Sequence, residues 1–126
     1  MIDHLGLPAS DLARSKAFFV AALAPLRASV LMKGPYGVGI GRDGKPTLWL
    51  HQEPGPIMPV HLALAADNRG QVRAFHAAAL AAGARDNGGP GLRPQYHAHY
   101  YGAFVIGPDG HNVEAVCHLP EDPQGG

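Results

Sequence analysis

Two stretches of this chain carry one hydrophobic pattern, 57 positions apart, in which a short alternating run leads into a longer helical one. His4-Leu5-Gly6-Leu7-Pro8-Ala9 falls on His61-Leu62-Ala63-Leu64-Ala65-Ala66. Further along, Ala17-Phe18 falls on Ala74-Phe75 and Ala21 to Ala24 on Ala78 to Ala81, so that ten of the 21 positions from His4 to Ala24 are identical. Alanine richness accounts for part of this; the paired histidines, leucines and phenylalanines are not explained by it. An internal repeat fixes architecture before any single element does, because equivalent sequences fold into equivalent units.

The pattern predicts the elements of each unit. Ile2 to Leu7 reads as a strand whose ladder Pro8 ends, and Ser10 or Asp11 caps a helix that closes near Leu23, ahead of Pro25. Leu12, Phe18, Phe19, Ala22 and Leu23 share its buried stripe, with Arg14 and Lys16 outward. Strands follow at Arg27 to Met32, Tyr36 to Gly41 and Thr47 to Gln52, the last two joined through the hairpin signal Asp43-Gly44. The second copy repeats the order. Pro59 to Ala66 is a strand, Asp67 or Asn68 caps a helix to about Ala82, and Gly83 ends it. A glycine-rich loop from Asp86 to Pro94 precedes strands at Tyr100 to Ile106 and Asn112 to Cys117, joined by the turn Pro108-Asp109-Gly110. The fold class is therefore α+β, built from two modules, about residues 1–56 and 57–118, whose sheets curl around a cavity. The Pro/Gly-rich stretch 119–126 is expected to fray.

Composition narrows the function. The chain has 126 residues, enough to bury one real core, and is 46% hydrophobic and 16% charged. Ten basic and ten acidic side chains cancel, with no long run of either sign, which speaks against nucleic acid or an anionic membrane as partner. The single cysteine, Cys117, excludes an intrachain disulfide and fits a reducing compartment. With no signal peptide after Met1 and no apolar run of bilayer length, a cytoplasmic protein is predicted.

Eight histidines are many for this length, and strand parity places two of them together with a carboxylate. If Leu5 and Leu7 face the helix, His4 faces the cavity; by the repeat His61 does too. In the last strand Asn112, Glu114 and Val116 oppose Val113, Ala115 and Cys117, which sets Glu114 among apolar neighbours. A buried carboxylate is costly unless paired or coordinating. His4, His61 and Glu114 form a two-histidine, one-carboxylate set suited to a divalent Fe, Mn, Ni, Zn or Co ion with open positions for substrate. Around it, His97 and His99 share a face of the Tyr96 to Tyr101 segment, and one of Tyr100 or Tyr101 points inward to handle a proton or bond a substrate oxygen. We assign Tyr101 and His99, beside Glu114, to catalysis, and Trp49, Arg93, His97 and Tyr100 to substrate binding.

Through His4 to Phe19, His61 to Ala65 and Phe104 to Val116, the chain resembles the vicinal oxygen chelate superfamily of glyoxalase I, fosfomycin-resistance transferases, extradiol dioxygenases and bleomycin-resistance proteins. The resemblance implies paired βαβββ modules in a homodimer, with metal ligands in the first strand of each module and the last strand of the second. Those positions hold His4, His61 and Glu114. It further implies a lyase, isomerase, transferase or dioxygenase acting on a small molecule that chelates the ion through vicinal oxygens. Glyoxalase I has a further carboxylate ligand in the first module. Aligning Asp43-Gly44 on Asp109-Gly110 puts Leu48 there, and a one-residue slip puts Trp49; neither binds metal, which argues against lactoylglutathione lyase activity. Fosfomycin transferases use basic residues near and after the last strand, where this chain has none beyond Arg93. A metal-free protein that sequesters a small molecule, of the bleomycin-resistance type, is the alternative.

Overall fold

The two helical stripes read from the repeat meet in one core. In the computed structural model, which describes residues 1–121, strand β1 (Leu5–Ala9) leads into helix α1 (Leu12–Leu23), then β2 (Ser29–Gly34), β3 (Gly37–Arg42) and β4 (Lys45–Gln52). The second module runs β5 (His61–Ala65), α2 (Arg69–Ala81), two-residue strands β6 (Arg85–Asp86) and β7 (Gly91–Leu92), β8 (Tyr101–Ile106) and β9 (Asn112–Cys117). Each module makes its own sheet, ordered β1-β4-β3-β2 and β5-β9-β8-β6, with β7 also on β8. The architecture is α+β with two repeated modules. Among the described residues no ladder joins the two sheets, and no helix is long and apolar enough to cross a membrane.

Local chemistry explains the helices. The Asp11 carboxylate accepts from the Arg14 amide and the Asn68 side chain from the Gln71 amide, so each helix has a side-chain cap for its unpaired N–H groups. Past α2, Gly83 takes the left-handed φ of 100° that stops a helix. Helix α1 packs on β2 to β4, α2 packs on β8 and β9, and the helices pack on each other. Repeat partners occupy matching core positions: Ser15 and Val72, Phe18 and Phe75, Ala22 and Ala79 are all buried.

Two elements depart from the sequence expectation. Strand β1 lies three residues later than its hydrophobic pattern suggested and includes Pro8, which pairs with His51. As β1 is an edge strand, a residue without an N–H can face the unpaired side at no cost. Residues 2–4 precede the strand, and Leu5 is half-exposed while Leu7 is buried. The expected glycine-rich loop contains β6 and β7, held to β8 by backbone pairs, and two-residue ladders leave no periodicity to read.

The modules clasp one another in a reciprocal way. Just before α1, the Ser10 amide donates to Asp109 at 3.0 Å and its hydroxyl donates to the other carboxylate oxygen, so the turn of the second module holds the helix start of the first. Asp67 is the repeat partner of Ser10. It accepts from Arg42, beside the turn of the first module, at 3.1 Å and from Arg27 at 2.9 Å. The hydrogen bond from Arg27, first among several causes, holds the Asp67 carboxyl below its ordinary range. His111, just after the turn of the second module, is buried as a third tie: it accepts from the Val60 amide at 3.1 Å and donates to the Pro8 carbonyl at 3.3 Å. Of the segment expected to fray, Leu119 and Glu121 meet Arg69 of α2, and residues 122–126 lie outside the described residues.

Candidate functional site

Alternation along β5 and β9 sets the site. Val113, Ala115 and Cys117 point into the core, which leaves Glu114 on the face away from α2. Along β5, His61, Ala63 and Ala65 are the exposed positions, and Ala63 lies directly beside Glu114 in the ladder. Glu114 is fully buried, yet neither carboxylate oxygen is orphaned. His61 Nε2 lies 2.7 Å from Oε1, and the Tyr100 hydroxyl donates to Oε2. A Cβ on Gly102 would stand 3.3 Å from Oε2 and 3.2 Å from the Tyr100 ring, so the absence of a side chain there makes room for this contact.

Burial and the neighbouring carboxylate both disfavour a phenolate at Tyr100, and its pKa is pushed up to about 12, burial contributing most. Because the folded value exceeds the unfolded one near 10, Tyr100 contributes stability that is present below about pH 10 and lost as pH rises toward 12. Chelator-treated Tyr100→Phe protein should therefore lose less stability across that interval than wild type. Denaturant midpoints measured at several alkaline pH values check this; parallel curves would count against it.

The structure brings together some of the residues expected at the site and separates others. His61, Glu114 and Tyr100 meet. His4 stands apart, exposed, with Nδ1 2.7 Å from Asp3, which in turn accepts from Lys45. Tyr101, expected in the catalytic role, turns the other way: it packs under Arg69 and Arg73 of α2 and accepts from Arg73. Successive strand residues face opposite sides, so Tyr100 and Tyr101 cannot both reach Glu114. His99 is exposed, and its amide donates to His97 Nδ1. His97 packs edge-on to His118, and His118 edge-on to Tyr100, forming an aromatic margin whose outer member the sequence did not single out. Arg93 donates to the Gly89 and Gly91 carbonyls and lies 5.3 Å above the Phe104 ring, itself beside His61.

Strand register settles what stands opposite Glu114 in the first module. Ala63 pairs with Glu114; the repeat partner of Ala63 is Gly6, and Gly6 pairs with Trp49. The counterpart is Trp49, half-buried on its sheet. Turn alignment pointed first to Leu48 because β4 carries a bulge between its pairings with Ile40 and Gly41, which adds one residue between turn and site strand. His51, two pairs further on, lies 3.5 Å from Glu53.

Could an ion sit here? Two ligands each about 2.1 Å from an ion and roughly at right angles lie about 3 Å apart, and His61 Nε2 and Glu114 Oε1 have nearly that spacing. Their donor types suit a divalent metal. Among the described residues of one chain, however, no third histidine, cysteine or carboxylate completes the set. Cavities of about 400 and 760 Å³ lie elsewhere, lined by neither His61 nor Tyr100 nor Glu114.

The model of one protein family, the Glyoxalase/Bleomycin resistance protein/Dioxygenase superfamily, matches residues 1–115. Among solved structures, a glyoxalase/bleomycin resistance protein from Albidiferax ferrireducens is similar at 27% identity and a TM-score of 0.79, over 93% of this chain and 97% of that one. A glyoxalase/bleomycin resistance protein/dioxygenase family enzyme from Burkholderia phytofirmans matches at 17% identity and a TM-score of 0.70, over 94% and 98%. A glyoxalase-related enzyme from Fulvimarina pelagi matches at 17% and 0.68, over 100% and 95%; at that identity the last two speak for the fold alone. No curated protein sequence matches.

Proposed function

The chain belongs to the Glyoxalase/Bleomycin resistance protein/Dioxygenase superfamily, and from that premise we propose that it is a metal-dependent enzyme whose site is completed by a second copy of itself. The observation that carries this reading is the fully buried Glu114 facing His61, with no third ligand among the described residues of the same chain. His61 and Glu114 would hold a divalent ion together with His4 of the partner subunit, which is exposed and, among the described residues, paired only with Asp3. Trp49 of that same partner module would then form the opposite wall. A cytoplasmic location fits the free, buried Cys117.

When bound, the ion would act as a Lewis acid on a small substrate that presents two adjacent oxygens to it. The protein's own groups do the rest. Glu114, freed from His61, keeps its hydrogen bond from Tyr100, which fixes the carboxylate's orientation. Tyr100 stays protonated at neutral pH; with its one proton on Glu114, its hydroxyl oxygen is left to accept a hydrogen bond from a substrate hydroxyl. The Tyr100, His97 and His118 rings form an aromatic margin beside the site. His99 and Arg93 stand at the rim, Arg93 available to an anionic substrate group if it leaves its carbonyl partners.

Metal analysis of tag-free protein tests the proposal. About one divalent ion per chain is expected, falling to background in Glu114→Ala and in His61→Ala. Wild-type protein that binds no ion when offered Fe, Mn, Ni, Zn or Co would overturn it. One observation favours a second reading, a metal-free binding protein: His61, Glu114 and Tyr100 already satisfy one another, and no buried side-chain polar atom lacks a partner among the described residues. That reading expects small-molecule binding that survives chelation.

A further inference from the structure

The chain has seven arginines, and five of them are engaged. Arg27 and Arg42 hold Asp67, Arg69 and Arg73 hold Glu121, and Arg93 holds two backbone carbonyls. The remaining two, Arg14 and Arg85, have no side-chain partner among the described residues, and both line the same cleft of about 760 Å³. Arg14 reaches it from α1 and Arg85 from the short strand after α2. The floor is apolar, made by Phe18, Ile106 and Pro108. A Cβ on Gly107 would come within 3.0 Å of the Phe18 ring, so the turn after β8 is seated directly on that ring.

The charge balance of this cleft is unlike that of the other. In the 400 Å³ cavity Lys45 and Arg42 line the wall, but Asp3 and Asp67 already neutralise them. In the larger cleft the one acid, Asp109, has both oxygens turned onto Ser10. Two arginines thus line a cleft whose one carboxylate is already hydrogen-bonded. Unpaired arginine forks bind carboxylates and phosphates bidentately, and an apolar floor rewards a ligand with a hydrophobic body.

We propose that this cleft is a second ligand site, separate from Glu114, that takes a small organic anion whose apolar body rests on Phe18 while its carboxylate or phosphate group meets Arg14 and Arg85. It shares no lining residue with the His61, Tyr100 and Glu114 cluster. Its ligand need not be the substrate of that cluster, and the site stands whether or not a metal binds there.

The test uses 2-naphthoate and 2-naphthyl phosphate as probes, with uncharged 2-naphthol as control, followed by amide chemical shifts of the full chain. Saturable shifts at Gly83, Gly107 and Gly110 are expected with the anions. Affinity should fall at least tenfold in the Arg14→Gln/Arg85→Gln double variant, whose substitutions are at exposed positions and leave metal content unchanged. The relative strength of the two anions identifies which head group the forks prefer. Equal binding of 2-naphthol, shifts confined to other residues, or unchanged affinity in a folded double variant would overturn the proposal.

Discussion

Mixing His4→Ala and Glu114→Ala chains, neither of which is expected to hold metal alone, should restore metal binding to about a quarter of the wild-type level after subunit exchange. In the proposed arrangement every site takes His4 from one chain and Glu114 from the other, so each homodimer of either variant would have two damaged sites. A mixed dimer gathers both substitutions into one site and leaves the other intact. Random exchange makes half of the dimers mixed, each with one good site of two. The result is hard to obtain any other way, because complementation between two defective copies requires a site that spans them. Metal content of the exchanged mixture, with circular dichroism and light scattering to confirm folded dimers, is the measurement. Absence of recovery from two folded, dimeric variants would mean that residues of one chain build the site, and the shared arrangement would have to be given up.

Phe75→Ala is expected to destabilise the fold by about 3–5 kcal/mol, the usual cost of removing a fully buried aromatic side chain and leaving a cavity. Phe75 has no exposed surface and lies on α2, which packs on β8 and β9 on one side and on α1 on another. Its loss therefore loosens both modules at once. Domains of this size are stable by roughly 5–15 kcal/mol, so the substitution should consume a large share and lower Tm by roughly 10–20 °C. On the same helix Leu80 is 38% exposed, and Leu80→Ala should cost well under half as much. Thermal and denaturant unfolding of the two variants compare them. A small effect at Phe75 would show that the helices bury less against each other than their contacts imply.

Much of this was legible because duplication and parity are strong signals. The repeat placed both helices, and the alternation of β9 separated Glu114 from Val113 and Ala115 without reference to any structure. Caps were readable to within one residue, with Asp11 and Asn68 serving rather than Ser10 and Asp67. The two passed-over candidates turned out to hold the modules together instead, a role that depends on groups far away in sequence. Parity alone could not say which of Tyr100 and Tyr101 reaches Glu114, since that needs the true start of β8. Nor could it place His4: parity gives the face of a residue, not the position of its whole module relative to the other. Pro8 misled for a related reason, because whether a proline breaks a ladder depends on which edge of the strand is paired. The bulge that moved Trp49 opposite Glu114 is a backbone event between Pro46 and Leu48 with no hydrophobic signature.

The pairing of Trp49 with Glu114 as repeat partners has a consequence for how such a chain can change. One scaffold position carries an indole in one half and a carboxylate in the other, while the inward positions on either side, Leu48 and Leu50 against Val113 and Ala115, remain aliphatic in both. Chemistry and architecture are written in alternate letters of the same strand. A lineage, or a designer, can therefore exchange what is recognised on one side of the ribbon without renegotiating how the polypeptide collapses on the other.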